Sequence, residues 1–124
     1  MTIAAAVLTA LVALEHVYIL YLEMFLWTKP AGLRTFGMSQ AKAEETKVLG
    51  ANQGLYNGFL AAGLFWSLVH PSAMFAYELK VFFLACVIVA ALYGAWSASR
   101  KILFTQGLPA IIAMIALLVA GVHA

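Results

Sequence analysis

The chain has 124 residues, of which 65% are hydrophobic and only 10% are charged. Soluble domains are about half apolar and about a quarter charged, so the composition predicts a single integral membrane domain over residues 1–124. The formal net charge of +2 and the lack of a Lys/Arg tract argue against nucleic acid as a partner. The single cysteine, Cys86, excludes an internal disulfide, and no spacing matches a metal motif, so we expect neither metal nor cofactor.

Four apolar segments are long enough to cross a lipid bilayer, at about residues 3–28, 48–69, 73–97 and 103–123. They predict an all-α fold, an antiparallel up-down bundle of four transmembrane helices. Pro30 with Gly32 interrupts the chain after the first segment, and polar residues 70–72 and 99–101 separate the others. Pro109 either lies in the first turn of the fourth helix or kinks a helix that begins near Thr105.

A short polar, interfacial segment joins the first two predicted spans. Ser39 is expected to cap a helix over residues 41–45, which lies at the membrane surface or runs on into the second span. Basic residues are concentrated in the first and third connections, against Lys80 alone near the second: Lys29, Arg34, Lys42, Lys47, Arg100 and Lys101. By the positive-inside rule, these two connections are expected in the cytoplasm and both termini outside.

Ionisable residues lie inside the first apolar segment, where charge is costly. On a helical wheel Glu15, His16 and Glu23 share an arc of about 100°, which should face other helices because lipid cannot satisfy it. Glu15 lies near the predicted midplane and needs a partner or a proton. Structural explanations stay open for the other two, since His16 can bond to a backbone carbonyl and Glu23 can reach the interface.

The second span begins with a polar, glycine-rich motif, NQGLYNG (residues 52–58). Small residues recur at every fourth position, namely at Gly50, Gly54, Gly58 and Ala62. This glycine stripe lets two helices approach closely, either within the chain or in the homo-oligomer that we expect. Four polar side chains lie beside it and either bond across helices or shape a ligand site: Asn52, Gln53, Tyr56 and Asn57. The opposite face, with Val48, Leu55, Phe59 and Trp66, suits lipid.

Aligning the cytoplasmic ends of the antiparallel spans predicts which polar groups meet. Glu23 falls level with Gln53, and Tyr93 and Gln106 of the third and fourth spans fall near the same level. We therefore predict one polar layer in the cytoplasmic half of the bundle, made of Glu23, Gln53, Tyr56, Asn57, Tyr93 and Gln106. Glu15 and His16 lie deeper in this interpretation.

Several stretches of the chain resemble one family of small bacterial membrane proteins. They are LEHVYILYLEMFLW (14–27), TKVLGANQGLYNGFLAAGLFW (46–66), SRKI (99–102) and LPA (108–110). The family is known as domain of unknown function 1304, and the resemblance covers nearly the whole chain. It implies an integral protein of the bacterial cytoplasmic membrane with four helices. It implies no settled activity, cofactor or catalytic residue.

Three functions fit these residues, and whether the chain is an enzyme stays open. The preferred one is binding of a small molecule or ion, extending to proton-coupled transport, with Glu15 as the coupling group. In that case His16 and Glu23 relay protons, while the polar side chains of the second span shape the site. The alternatives are a membrane-embedded enzyme with isomerase- or epimerase-like acid–base chemistry on a lipid-like substrate, and a structural or accessory subunit.

Overall fold

Helices form every regular element of the computed structural model, which describes residues 2–123. The elements in chain order are α1 (Thr2–Phe25), α2 (Pro30–Phe36), α3 (Gln40–Val69), α4 (Ala73–Ser97), a π-helical turn (Leu103–Gly107), α5 (Leu108–Ala120) and a 3₁₀ turn (Gly121–His123). The predicted all-α class is therefore confirmed.

Three of the described helical stretches are long and apolar enough to cross a membrane, namely Ile3–Phe25, Ala73–Ser97 and Leu103–Ala120. Their length and composition make this a membrane protein by class. At 30 residues α3 is the longest helix, but the amides of Asn52, Gln53 and Asn57 lower its mean hydropathy. The sequence expectation of a fourth span in α3 is therefore taken up below as a proposal.

Local capping groups set where the long helices begin. The Ser39 hydroxyl accepts a hydrogen bond from the backbone N–H of Lys42 at 3.1 Å, and the Ser72 hydroxyl accepts one from Phe75 at 3.3 Å. Each bond satisfies an N–H that has no partner inside its helix. The expected cap at Ser39 is confirmed, and the helix that it begins runs on without a break into the predicted second span.

The short helix α2 corrects the interpretation of Pro30 and Gly32 as a simple break. Pro30 is the first residue of α2, where its missing N–H does no harm. Gly37 ends the helix with a φ of 63° and donates its N–H to the carbonyl of Leu33. Gly32 packs so closely on the segment after α1 that a Cβ there would overlap the carbonyl oxygen of Leu26. Proline at the start and glycine at the end were the sequence signals for this helix.

Pro109 follows directly after the π-helical turn and is the second residue of α5. In that turn the N–H of Leu108 donates to the carbonyl of Leu103, five residues earlier. Such a turn re-routes backbone bonds next to a residue that has no N–H to donate. The structure thus combines both sequence alternatives, because Pro109 lies in the first turn of α5 and helical residues precede Thr105.

Contacts along the chain define two compact units, one made of the residues up to Leu14 together with those from Leu60 onward, the other of Glu15–Phe59. The first unit has a hydrophobic core of buried residues from four helices: Ala5, Val12, Ala13, Leu64, Leu84, Val87, Ala110, Ala113 and Leu117. Four of these are alanines, which permit close helix packing where no larger side chain intervenes.

In the second unit α1 and α3 pack through the glycine stripe of α3. A Cβ built on Gly50, Gly54 or Gly58 would lie 2.6, 2.8 or 2.5 Å from a side-chain atom of α1 or of the turn after it. The side chains concerned are, in that order, those of Trp27, Met24 and Leu20. Because their numbers fall as the glycine numbers rise, the two segments run in opposite directions here. The stripe therefore contacts the same chain.

Trp27 fixes the end of this helix pair. Its indole covers Gly50 and donates a hydrogen bond to the Thr46 hydroxyl at 3.1 Å. On another side its ring packs against Phe36 of α2, with ring centroids 4.9 Å apart. One tryptophan thus ties α2 and the first half of α3 to the end of α1.

Replacing Gly54 with valine is expected to destabilise the helix pair. A Cβ there would lie 2.8 Å from Met24 Cγ and 2.9 Å from Glu23 Cβ, and such overpacking costs about 1–3 kcal/mol. Unfolding of the purified protein by SDS titration measures the loss. Ala62→Val is the matched control, because Ala62 is exposed on the same helix, and it should change stability by less than about 0.5 kcal/mol. Equal losses in the two variants would contradict the packing described.

Candidate functional site

Glu23 carries a buried carboxylate in the second unit with both oxygens hydrogen-bonded. Its side chain is 1% exposed. Its Oε2 accepts a hydrogen bond from Gln53 Nε2 at 2.5 Å, and its Oε1 accepts one from Asn57 Nδ2 at 2.6 Å. Gln53 and Asn57 lie one helical turn apart, so their side chains project from the same side of α3. We call these two residues the amide clamp. Glu23 and Gln53 thus lie level, as the alignment of the spans predicts.

The glycine stripe explains how two short amides reach the carboxylate. Gly54 lies between the clamp residues along α3, and a Cβ there would approach Glu23 Cβ to 2.9 Å. With no side chain at Gly54, the backbone of α3 lies directly against α1. Asn57 then reaches Glu23 while its Nδ2 also lies 3.2 Å from the backbone oxygen of Gln53. Since both carboxylate oxygens accept from protein groups, Glu23 is satisfied without water.

Glu15 has a different environment from Glu23. Its Oε1 is buried and accepts no hydrogen bond from any residue in the described range. Buried acceptors without a donor are rare, because removing them from water costs free energy that no hydrogen bond within the protein offsets. Glu15 and Glu23 are eight positions apart, which corresponds to about 12 Å along the helix axis. One small ion therefore cannot bind both carboxylates.

His16 is 1% exposed and follows Glu15 directly in α1. Neighbouring helix residues point about 100° apart, which separates the imidazole from the carboxylate of Glu15 around the helix. Within residues 2–123, no three His, Cys, Asp or Glu side chains lie close enough together to hold a metal ion.

Tyr56 was predicted in the polar layer with Glu23, and Asn52 was predicted beside the glycine stripe. Neither reaches Glu23, which corrects the layer at Tyr56. Each precedes a clamp residue and therefore projects about 100° away from it around α3. Asn52 Nδ2 donates to the backbone oxygen of Val48 in its own helix at 2.8 Å. Tyr56 is 62% exposed, and its ring centroid lies 5.9 Å from that of Phe59. Both residues belong to an outward face of α3.

Tyr93 and Gln106 belong to the first unit, whereas Glu23 belongs to the second. Tyr93 is exposed and packs against Trp96, with ring centroids 5.9 Å apart. Gln106 is half-buried in the π-helical turn. Neither takes part in the two hydrogen bonds of the amide clamp, and their place in a common polar layer stays a prediction.

Lys80 has a structural role that sequence reasoning missed. The side chain is 4% exposed, and its Nζ donates to the backbone oxygen of Ser67 at 3.0 Å. In a continuing helix that oxygen would accept from residue 71, but Pro71 has no N–H. The cation also lies at the carboxyl end of α3, where the helix dipole favours positive charge. The sequence interpretation placed Lys80 at the edge of its span, and Pro71 was the overlooked signal.

The fold and the buried carboxylates define a small all-helical membrane protein, and comparison with known proteins gives its family. The profile of DUF1304, described as a protein of unknown function, matches residues 10–118. The chain therefore belongs to the DUF1304 family, which confirms the resemblance in the sequence.

Two relatives show how far this similarity extends. An uncharacterized protein of Lactococcus lactis subsp. lactis, YpaA, is 40% identical over 117 residues, which are 93% of this chain and 97% of the relative. An uncharacterized protein of Haemophilus influenzae is 62% identical over 34 residues, which are 27% of this chain and 43% of the relative. No solved structure matches the chain significantly.

Removing a clamp amide is expected to destabilise the fold more than removing Asn52. Asn57→Ala leaves Glu23 Oε1 buried without its donor, which costs about 1–3 kcal/mol. Within a single chain, Asn52→Ala removes only a bond inside α3 and should change the stability of the monomer by less than about 0.5 kcal/mol. SDS-titration unfolding measures both.

A double-mutant cycle with Glu23→Gln tests whether the effect of Asn57 acts through the carboxylate. A neutral amide at position 23 is less costly to leave unpaired, so the loss caused by Asn57→Ala should shrink in that background. An unchanged loss would show that Asn57 stabilises the protein by another route.

Proposed function

We propose that this protein crosses a bacterial cytoplasmic membrane four times and binds a proton or a monovalent organic cation at Glu15. In this proposal α3 is the additional span. Residues 48–69 extend about 33 Å at 1.5 Å per residue, which suffices for a hydrocarbon core of about 30 Å. Of the residues expected to face lipid, Val48, Leu55 and Trp66 are exposed on α3. Its clamp amides bond to Glu23 and so need no partner from lipid.

The distribution of basic residues supports an orientation for these spans. The connection between α1 and α3 carries Lys29, Arg34 and Lys42, all exposed. Arg100 and Lys101 follow α4 and are exposed as well. Lys80 lies near the second connection, but we do not count it as a basic residue of that side because its amine is bound to a backbone oxygen of α3. We therefore propose that the connections after α1 and α4 are cytoplasmic and that both termini are outside.

Reporter fusions test this topology. Alkaline phosphatase, which is active only outside the cytoplasm, is expected to be active when fused at the C-terminus and inactive when inserted after Gly37. Green fluorescent protein at the same two positions should give the opposite pattern. Phosphatase activity at both positions or at neither, which requires an even number of crossings between them, would overturn the four-span proposal.

The unpaired Glu15 oxygen is the observation that carries the binding proposal. An anionic oxygen shielded from water needs a proton or a cation when no hydrogen-bond donor reaches it. Glu23 has both oxygens occupied by the amide clamp. The two buried carboxylates therefore have separate roles, with Glu15 binding the ligand and Glu23 holding α3 against α1.

The charge of the site limits the class of ligand. A single carboxylate balances one positive charge, and the second carboxylate is about 12 Å away along the helix. Apolar side chains dominate the surrounding helix, so a weakly hydrated organic cation fits better than a strongly hydrated divalent ion. A cation and a proton would compete for the same oxygen, which is the exchange that proton-coupled transport requires.

Replacing Glu15 with glutamine is expected to weaken binding of tetraphenylphosphonium, a lipophilic monovalent cation, by the purified protein. The expected loss is at least about tenfold in Kd, or ~1.4 kcal/mol, because the counter-charge is gone. Proton release on binding should disappear with it. Glu23→Gln is the matched control, which should bind the cation like the wild type. Isothermal titration calorimetry in two buffers of different ionisation enthalpy measures affinity and proton release together.

Infrared spectroscopy tests whether the Glu15 carboxyl group is protonated, independently of cation binding. The wild type is expected to show a protonated-carboxyl stretching band that is lost in Glu15→Gln and kept in Glu23→Gln. A wild type with neither this band nor cation binding would overturn the proposal, as would a Glu15→Gln variant with both.

A further inference from the structure

One face of α3 carries large exposed side chains that α1 does not cover. Its members are Leu49, Asn52, Tyr56 and Phe59. Their spacing of three, four and three residues is that of core positions in a coiled coil, and they share an arc of about 80°. We call this the Asn52 face. It is separate from the glycine stripe, which is filled by side chains of the same chain.

The Asn52 face combines apolar bulk with incompletely bonded polar groups. Asn52 uses one amide N–H on the backbone oxygen of Val48, which leaves its second N–H and its side-chain oxygen available. Such a bond to the residue four positions earlier occupies only part of the amide, and Asn57 makes the same contact while it also donates to Glu23 on α1. Lipid offers neither donor nor acceptor, so a face of this kind in a span calls for a protein partner.

We propose that the Asn52 face is the interface of a parallel homodimer, in which a second copy of this chain packs its own α3 against it. This inference rests on the proposed orientation of α3 as a span. Copies inserted with the same orientation are related by a two-fold axis along the membrane normal, which places each residue beside its own counterpart at equal depth. An amide both donates and accepts, so Asn52 pairs with the identical amide. A lone asparagine at a core position specifies helix pairing in this way.

The same face already packs against a helix further along α3. Gly63 lies seven residues after Tyr56, in the middle of the same arc. A Cβ at Gly63 would overlap the ring of Phe83 of α4. The face is therefore a helix-packing face where α4 meets it, and the stretch from Leu49 to Phe59 continues that face.

The second copy also completes the site around Glu23. Gln53 donates to the buried carboxylate but is itself exposed. It follows Asn52 directly, so a helix seated on the Asn52 face covers its outer side. The dimer thereby keeps lipid and water from the Gln53–Glu23 hydrogen bond, which a single chain leaves open on that side.

Disulfide crosslinking in native membranes tests the interface. In a Cys86→Ser background, Asn52→Cys and Tyr56→Cys are expected to form crosslinked dimers on oxidation. Tyr21→Cys is the matched control, because Tyr21 is an exposed aromatic of α1 next to Leu20, which packs level with Gly58. Leu55→Cys is the control within α3, about 100° from Tyr56. Both controls should stay monomeric. Monomers at positions 52 and 56, or equal crosslinking at all four positions, would overturn the proposal.

The amide pair is tested by dimer affinity in liposomes, measured by fluorescence energy transfer between labelled copies. Asn52→Leu is expected to weaken the dimer about tenfold, which corresponds to ~1.4 kcal/mol, while Asn52→Gln should retain it. Wild-type affinity in Asn52→Leu would overturn the asparagine pairing. Because neither readout depends on Glu15 or on a bound cation, failure of the dimer is distinguishable from failure of the proposed binding function.

Discussion

The second unit is organised around one requirement, that the Glu23 carboxylate be satisfied inside a segment long and apolar enough to span a membrane. Lipid supplies no donors, so both oxygens must accept from the protein. The donors are the amides of Gln53 and Asn57, one turn apart on α3. These amides reach Glu23 because Gly54 brings the two backbones together. The carboxylate, the two amides and the glycine therefore depend on one another, and loss of any one of them leaves the others without their structural function.

Satisfying Glu23 also changes how the first helix is understood. The sequence places Glu15 and Glu23 on one polar arc and proposes both as site residues, with Glu15 as the coupling group and a structural explanation open for Glu23. In the structure one carboxylate is held by two donors and the other has an oxygen with none within the described chain. A bundle can keep one buried carboxylate for structure and another for chemistry only when their environments differ in this way.

Much of this arrangement is predictable from the sequence, because its causes are local or periodic. The caps at Ser39 and Ser72 depend on neighbouring residues, and the level of Glu23 with Gln53 follows from the helix rise and the antiparallel course. The place of Tyr56 in the polar layer was predicted from its polarity alone. A rotation of about 100° per residue turns Tyr56 away from the carboxylate, and its side chain is 62% exposed. Asn52, another candidate site residue, bonds to its own helix.

Lys80 illustrates a dependence that no single position reveals. Its amine neutralises no carboxylate; it replaces the amide hydrogen that a proline at position 71 withholds from Ser67. A relative with any other amino acid at position 71 could donate its own backbone N–H to that oxygen, and the lysine would then be a desolvated charge without this hydrogen bond. We therefore expect the proline and the lysine, which lie nine residues apart, to covary among relatives of this protein.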